Sequence, residues 1–153
     1  MRYSKQLIIT IPILLITFFS CTKFTYEKDE IVGNWNIGGY FVDGVDSTEY
    51  FKQFKYSDIS ITTENKIYIS CIRSDTSDLN SVYAIGNWSL SSRNELINFN
   101  MKSPGSDQDL WLKKIPFYPN TVSAWKILYL DKNSFKLRTK IEGVTYELNL
   151  ILI

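Results

Sequence analysis

Apolar and polar side chains alternate along most of the chain from residue 31 onward. The alternation is clearest in residues 135–140, where Phe, Leu and Thr alternate with Lys, Arg and Lys. Successive side chains of a β-strand point to opposite faces of the sheet, so a period of two residues is typical of strands with one buried face. The pattern therefore predicts an all-β protein.

Turn-forming residues divide the alternating region into eight predicted strands. Only residues 47–54, where Tyr50, Phe51 and Phe54 share an apolar face, favour a helical turn. The predicted strands span residues 31–42, 59–63, 67–72, 82–90, 95–101, 122–130, 135–140 and 144–152.

The first predicted strand contains a pair of glycines at which a bend is expected. Four of its residues share one face by alternation: Trp35, Ile37, Gly39 and Phe41. Gly38 and Gly39 are adjacent and lack side chains, which is typical of a place where a strand bends sharply.

Short links join most of these strands in sequence order, which favours pairing of each strand with its neighbours in the chain. A meander of eight strands is stabilised when the sheet closes on itself, because closure removes both exposed edges. The expected fold is therefore an eight-stranded antiparallel up-and-down barrel. An open sandwich of the same strands is the structural alternative.

The links between the predicted strands differ in length. In a meander, alternate links lie at opposite ends of the barrel. The three long links, residues 43–56, 73–81 and 102–121, all belong to one end, and the links of the other end are tight turns. This arrangement predicts a rim of loops at one end, as ligand-binding barrels have.

The link of residues 102–121 contains Trp111, Phe117 and Tyr118 together with three prolines. These rings could form a lid or a contact surface for a ligand or a protein partner, since aromatic side chains bury large areas at little cost in rotamer freedom. Alternatively, the rings fold inward and fill the top of the barrel, because eight strands enclose just enough space for side chains or one small ligand.

The first 20 residues have the features of an export signal. Two basic residues precede an apolar run over residues 7–19, which is shorter than the about 20 residues that a membrane-spanning helix needs. The run ends in a serine followed by Cys21, which resembles the lipobox of bacterial lipoprotein signals. The resemblance implies cleavage before Cys21 and attachment of acyl chains such as palmitate to it. In a plain secretory signal, the alternative, Cys21 would be incidental.

This interpretation divides the chain into a signal peptide (residues 1–20), a lipidated tether (residues 21–30) and a barrel domain (residues 31–153). Two or more acyl chains hold a protein on a membrane almost permanently, so the membrane is an expected partner through Cys21. The expected location is the bacterial outer membrane, on its periplasmic face or at the cell surface.

The net charge and the length of the chain bear on its partners and on the number of its domains. Without residues 1–20, the chain has 15 basic and 16 acidic side chains, so its net charge does not favour nucleic acid as a partner. The remaining 133 residues are enough for one domain with a sizeable core and not for two.

The chain offers little catalytic chemistry, since it has no histidine and only two cysteines. With Cys21 acylated, Cys71 has no disulfide partner and is most simply a buried residue on a strand. Asp43, Asp46 and Glu49 are close in sequence, but their spacing matches neither a calcium loop nor a defined carboxylate pair. No catalytic residue, metal or cofactor is expected, and therefore no enzymatic activity.

Two Gly-x-Trp motifs organise the predicted barrel. Gly33-Asn34-Trp35 opens the first strand, and Gly86-Asn87-Trp88 returns in the fourth. With the eight-strand meander and the closing patterns of residues 125–130 and 143–150, these motifs resemble the lipocalin superfamily, and more closely the lipocalin-like lipoproteins of Bacteroidota. The resemblance implies that Trp35, just after Gly33, packs across the closed end of the barrel. The Thr-Asp-Tyr motif and final helix of well-known lipocalins are missing from this sequence.

Two functions are compatible with these features. The first is binding of a small, largely apolar ligand at the open end of an anchored barrel. The second is a structural or interaction role, in which a barrel filled by side chains contacts an envelope protein through the loop of residues 102–121.

Overall fold

A computed structural model of the chain describes residues 26–52, 54–73, 82–91, 93–102, 117 and 120–153, with the side chains of 54–56, 71–73 and 82–83 left out. Neither of the two helices in this described part is long and apolar enough to cross a membrane. The helices are α1 (Lys28–Ile31) and α2 (Glu49–Lys52). The strands are β1 (Gly33–Val42), β2 (Val45–Asp46), β3 (Phe54–Ile61), β4 (Lys66–Arg73), β5 (Val82–Leu90), β6 (Leu96–Lys102), β7 (Val122–Leu130), β8 (Ser134–Ile141) and β9 (Val144–Leu152).

The strands form a closed antiparallel barrel. Each strand from β3 to β8 pairs with the strand that follows it in the chain. β1 pairs with β3 and also with β9. This last pairing closes the sheet and leaves eight strands around the barrel, with the two-residue β2 as an addition to the edge of β1. The predicted all-β meander barrel is confirmed, and the open sandwich is wrong. The predicted helical turn is α2.

A bulge in β1 changes which side chains point inward. The register with β9 shifts between Ile37 and Gly39, so Gly38 is the extra residue. A bulge reverses the alternation beyond it. Tyr40 is therefore buried in the core and Phe41 is not, so the prediction that Phe41 shares the inward face of Trp35 is wrong.

One end of the barrel is closed by large side chains and by α1. The indole Nε1 of Trp35 donates a hydrogen bond of 3.0 Å to the carbonyl oxygen of Ile31, and both side chains are buried. Trp88 Nε1 donates at 2.9 Å to the carbonyl oxygen of Thr62 in a neighbouring turn. Residues 26–31 thus belong to the folded domain, although the sequence suggested that they were mostly tether.

Asp131 organises the turn between β7 and β8 at this closed end. Its Oδ1 accepts hydrogen bonds from the backbone N–H groups of Asn133 (2.8 Å) and Ser134 (2.7 Å). The Tyr129 hydroxyl donates to its Oδ2 at 2.6 Å. These bonds, that of Tyr129 most of all, hold the pKa of Asp131 below its ordinary value.

The depressed pKa of Asp131 has a consequence for stability in acid. Its contribution is fully present above the pKa of an unfolded aspartate and is lost as pH falls through the lower pKa of the folded protein. The Asp131→Asn variant should therefore have a lower urea midpoint than the wild type at neutral pH, and the difference should shrink in strong acid. A difference that stays constant across this range would contradict the assigned role.

Candidate functional site

The long links gather at the end of the barrel opposite Trp35. At this end, which we call the rim, one link contains β2 and α2, and two others cross from β4 to β5 and from β6 to β7. Two links at this end have only two residues, Asp43-Gly44 between β1 and β2 and Glu142-Gly143 between β8 and β9. At the closed end, the three links between strands are tight turns. The predicted separation of long and short links is confirmed by this topology.

A layer of large side chains fills the barrel at the closed end. Every residue in this layer is at least as large as isoleucine or leucine, and all are buried. This layer consists of Trp35, Ile61, Ile67, Trp88, Ile97, Ile127, Phe135 and Leu150.

The corresponding layer near the rim combines large residues with small ones. Its described members are the large Tyr40, Met101 and Tyr146 and the small Ser57, Ala84, Ser123 and Thr139. Thr139 Oγ1 donates to the carbonyl oxygen of Ala124 at 2.7 Å, so this hydroxyl bonds to the barrel wall.

Phe117 reaches into the space below the rim. Its side chain is fully buried, with its ring centroid 5.3 Å from that of Phe99 and 5.2 Å from that of Trp125. Trp125 Nε1 donates at 3.2 Å to Ser123 Oγ, which fixes the indole of this cluster. Phe117 thus lies inside the barrel and not on an outer surface.

A second aromatic group covers the barrel wall beside the rim. β1 pairs with β3 only as far as Asn36, and α2 follows where the two strands part. Phe51 of α2 is buried, with its ring edge-on to Tyr40 at 5.4 Å. Tyr40 in turn stacks on Tyr146 at 6.5 Å. Tyr40 was not expected to face inward, because the alternation of β1 without a bulge places it on the outer face. Its aromatic neighbours were therefore not expected at the site.

The remaining predicted site residues fall into two groups. Gly33 and Trp35 lie at the closed end, where a Cβ on Gly33 would come within 2.8 Å of Leu152 Cδ1. Cys21, Trp111 and Tyr118 lie outside the described residues, and their roles stay predictions.

The carboxylates near the rim serve as structural acceptors. Asp43 Oδ1 accepts from the backbone N–H of Thr145 at 2.8 Å, which ties the end of β1 to the β8–β9 turn. Asp46 Oδ1 accepts from the N–H of Thr48 at 2.8 Å, and hydrogen bonding to Thr48 holds the pKa of Asp46 below its ordinary value. Within the described ranges, no three His, Cys, Asp or Glu side chains are grouped as metal ligands.

Comparison with solved structures identifies the class of fold. A lipocalin-like protein from Bacteroides uniformis has a TM-score of 0.55 at 18% identity, over 81% of this chain and 99% of its own. An uncharacterized protein from Bacteroides eggerthii has a TM-score of 0.50 at 14% identity, over 77% of this chain and 97% of its own. The chain therefore has a lipocalin-like fold, as its motifs predicted. No protein-family profile matches the sequence, and a search of curated proteins finds no match.

Proposed function

We propose that this protein is a lipid-anchored lipocalin-like barrel that binds a small, largely apolar ligand through its rim. The observation that supports binding is the presence of small buried side chains near the rim, among them Ala84, Ser123 and Thr139, whereas the layer at the closed end consists of large ones. A barrel that only needed a packed core would gain stability from large apolar residues at both ends.

In this proposal Phe117 occupies the ligand space in the empty protein. It belongs to the longest link between strands, and it contacts Phe99 and Trp125 through ring faces and edges. A ligand that displaces this ring replaces its contacts with equivalent ones. The ligand should be apolar where it meets these rings and should be small enough for an eight-stranded barrel.

The proposed anchor fits the direction in which the chain enters the barrel. Tyr26 packs against the core just before α1, which lies at the closed end. Only four residues separate Cys21 from Tyr26, so an extended chain reaches about 17 Å from the acylated cysteine to the barrel. We therefore place the closed end near the outer membrane, with the rim facing away from it. Binding, and not catalysis, is the activity that we propose, with no cofactor.

The binding of an apolar fluorescent dye tests the proposal. The chain starting at Thr22, which is free of the signal and the acyl chains, is titrated with an anilinonaphthalene dye, and fatty acids or sterols are added as competitors. We expect saturable binding of one dye molecule that a competitor reverses. In the Ala84→Phe variant, the larger ring should fill the rim layer and abolish binding. Dye binding that this variant leaves unchanged would contradict a site inside the barrel.

Replacing Phe117 by alanine should separate its contribution to stability from its effect on binding. The loss of a fully buried ring is expected to lower the free energy of unfolding by about 3–4 kcal/mol. The same change should increase the affinity for the dye, since the ligand no longer has to displace the ring. Urea unfolding and dye titration measure the two effects. A destabilised variant with weaker dye binding would contradict the displacement of Phe117.

The burial of Phe117 also favours the second candidate function, an interaction role with a filled barrel. In that case the loop of residues 102–121 presents its outward side chains to an envelope protein. Changing both Trp111 and Tyr118 to alanine should then abolish co-purification of that partner and leave the urea midpoint nearly unchanged. Unchanged recovery of the partner would exclude this surface.

A further inference from the structure

A hollow of about 420 Å³ lies on the outer wall of the barrel, separate from the interior. Its base is the bulge of β1 at Gly38 and Gly39. Asn149 of β9 borders it on one side, and Thr48 and Lys52 border it from the segment of β2 and α2. Its volume falls in the range of about 300–1,000 Å³ that is usual for small-molecule sites.

The two glycines let neighbouring side chains pack closely on the bulge at the base of the hollow. A Cβ on Gly39 would lie 3.0 Å from Asn149 Nδ2 and 3.2 Å from Phe41 Cε2, and a Cβ on Gly38 would collide with Ile151. Neither glycine has a positive φ, so the backbone conformation alone does not require glycine here. What requires glycine is the close approach of these side chains to the backbone.

The side-chain oxygen of Asn149, at the edge of the hollow, is a hydrogen-bond acceptor without a donor. Within the described part of the chain, its Oδ1 is buried and has no hydrogen-bond partner. A buried acceptor without a donor costs free energy, which a leucine of similar shape would avoid. Rotation of the amide about its Cβ–Cγ bond turns Oδ1 toward the hollow, where a donor on a ligand can satisfy it.

The other groups around the hollow define the chemistry of that ligand. Asp46 and Glu49 contribute two carboxylates against the single ammonium of Lys52, which is already paired with Glu49, so an anion would be repelled. Phe41 contributes an aromatic ring beside Gly39. Hydroxyl donors for the acceptors, an apolar face for the ring and no net charge are together the properties of a sugar ring.

We propose that this hollow binds a neutral saccharide unit. Asn149 and the nearby carboxylates accept hydrogen bonds from its hydroxyl groups. The C–H face of the sugar lies against Phe41. The site is on the outside of the wall and does not depend on ligand binding at the rim.

The test is an NMR titration of the full chain, labelled with ¹⁵N and purified in a zwitterionic detergent that contains no sugar. The probes are glucose, galactose, mannose, fucose and N-acetylglucosamine, each added alone, with ethanolamine as a cationic probe. We expect at least one sugar to cause saturable shifts of the backbone amides of residues 38–41, 46–49 and 149. No saturable shift with any of these sugars, or a shift with ethanolamine alone, would overturn the proposal.

Two variants and a matched control locate the binding. Asn149→Leu should weaken sugar binding about tenfold or more while the melting temperature stays the same or rises, since the unpaired acceptor is gone. Gly39→Ala should also abolish the shifts, because its Cβ would press on the side chains of Asn149 and Phe41. Asn98→Leu makes the same change on the outer side of β6, far from the hollow, and should bind as the wild type does. Sugar shifts that persist in Asn149→Leu would overturn the assignment of the site.

Discussion

Replacing Trp35 by alanine is expected to lower the free energy of unfolding by about 3–5 kcal/mol. The indole is 1% exposed and lies against Phe135, with 5.5 Å between ring centroids. Its removal leaves a cavity at the closed end, and the carbonyl oxygen of Ile31 loses the donor that Nε1 supplies at 3.0 Å. Urea unfolding of the chain starting at Thr22 measures the loss.

The conservative change Trp35→Phe serves as the control for this prediction. It keeps an aromatic ring against Phe135 but removes the N–H group, so the expected loss is smaller, about 1–3 kcal/mol. If Trp35→Ala costs less than about 1 kcal/mol, as a surface substitution would, the indole does not hold the closed end together.

Replacing Gly86 by alanine is expected to destabilise the barrel by about 3 kcal/mol, although only one methyl group is added. A Cβ at this position would lie 2.6 Å from the backbone oxygen of Asn100 and 2.7 Å from Met101 Sδ. The sulfur can move, but the oxygen belongs to the paired strand β6, so the two strands must separate locally. The midpoint of urea unfolding should fall while its slope stays the same.

Ser89→Ala is the matched control for Gly86→Ala, because Ser89 lies on the same strand with its side chain exposed. This change should alter the free energy of unfolding by less than about 0.5 kcal/mol. Equal effects of the two substitutions would show that close packing of β5 on β6 is not what requires glycine at position 86.

Most of the fold could be predicted from the sequence because half-buried strands carry a strong signal. β7, β8 and β9 match their predicted residues closely, since buried side chains alternate with more exposed ones along most of β7 and β8. The lengths of the links then placed the loops at one end without any further assumption. The Gly-x-Trp motif added the expectation that an indole lies at the other end.

The direction of side chains in the second half of β1 could not be predicted. One extra residue at Gly38 exchanges the inward and outward positions beyond it, and no local pattern shows whether a glycine pair bends a strand or bulges it. Tyr40 therefore enters the core and Phe41 leaves it. The outer hollow lies at the same bulge, so the proposed saccharide site could not be predicted from the sequence either.

The candidate site inside the barrel depends on tertiary contacts that no short pattern contains. Phe117 lies in a link without periodicity, so its burial against Phe99 and Trp125 could not be predicted from alternation. Ala84 and Ser123 could be assigned to inward positions by alternation. Their grouping near the rim appears only when the register of all eight strands is known.

The most direct measurement of the central claim is a crystal structure of the protein under xenon pressure. Xenon enters apolar spaces that are accessible and not filled by side chains. We predict a xenon atom inside the barrel near Ala84 and Met101, next to the ring of Phe117 or in its place. A barrel interior without xenon, with Phe117 unmoved and xenon only on the outer surface, would contradict a ligand-binding barrel.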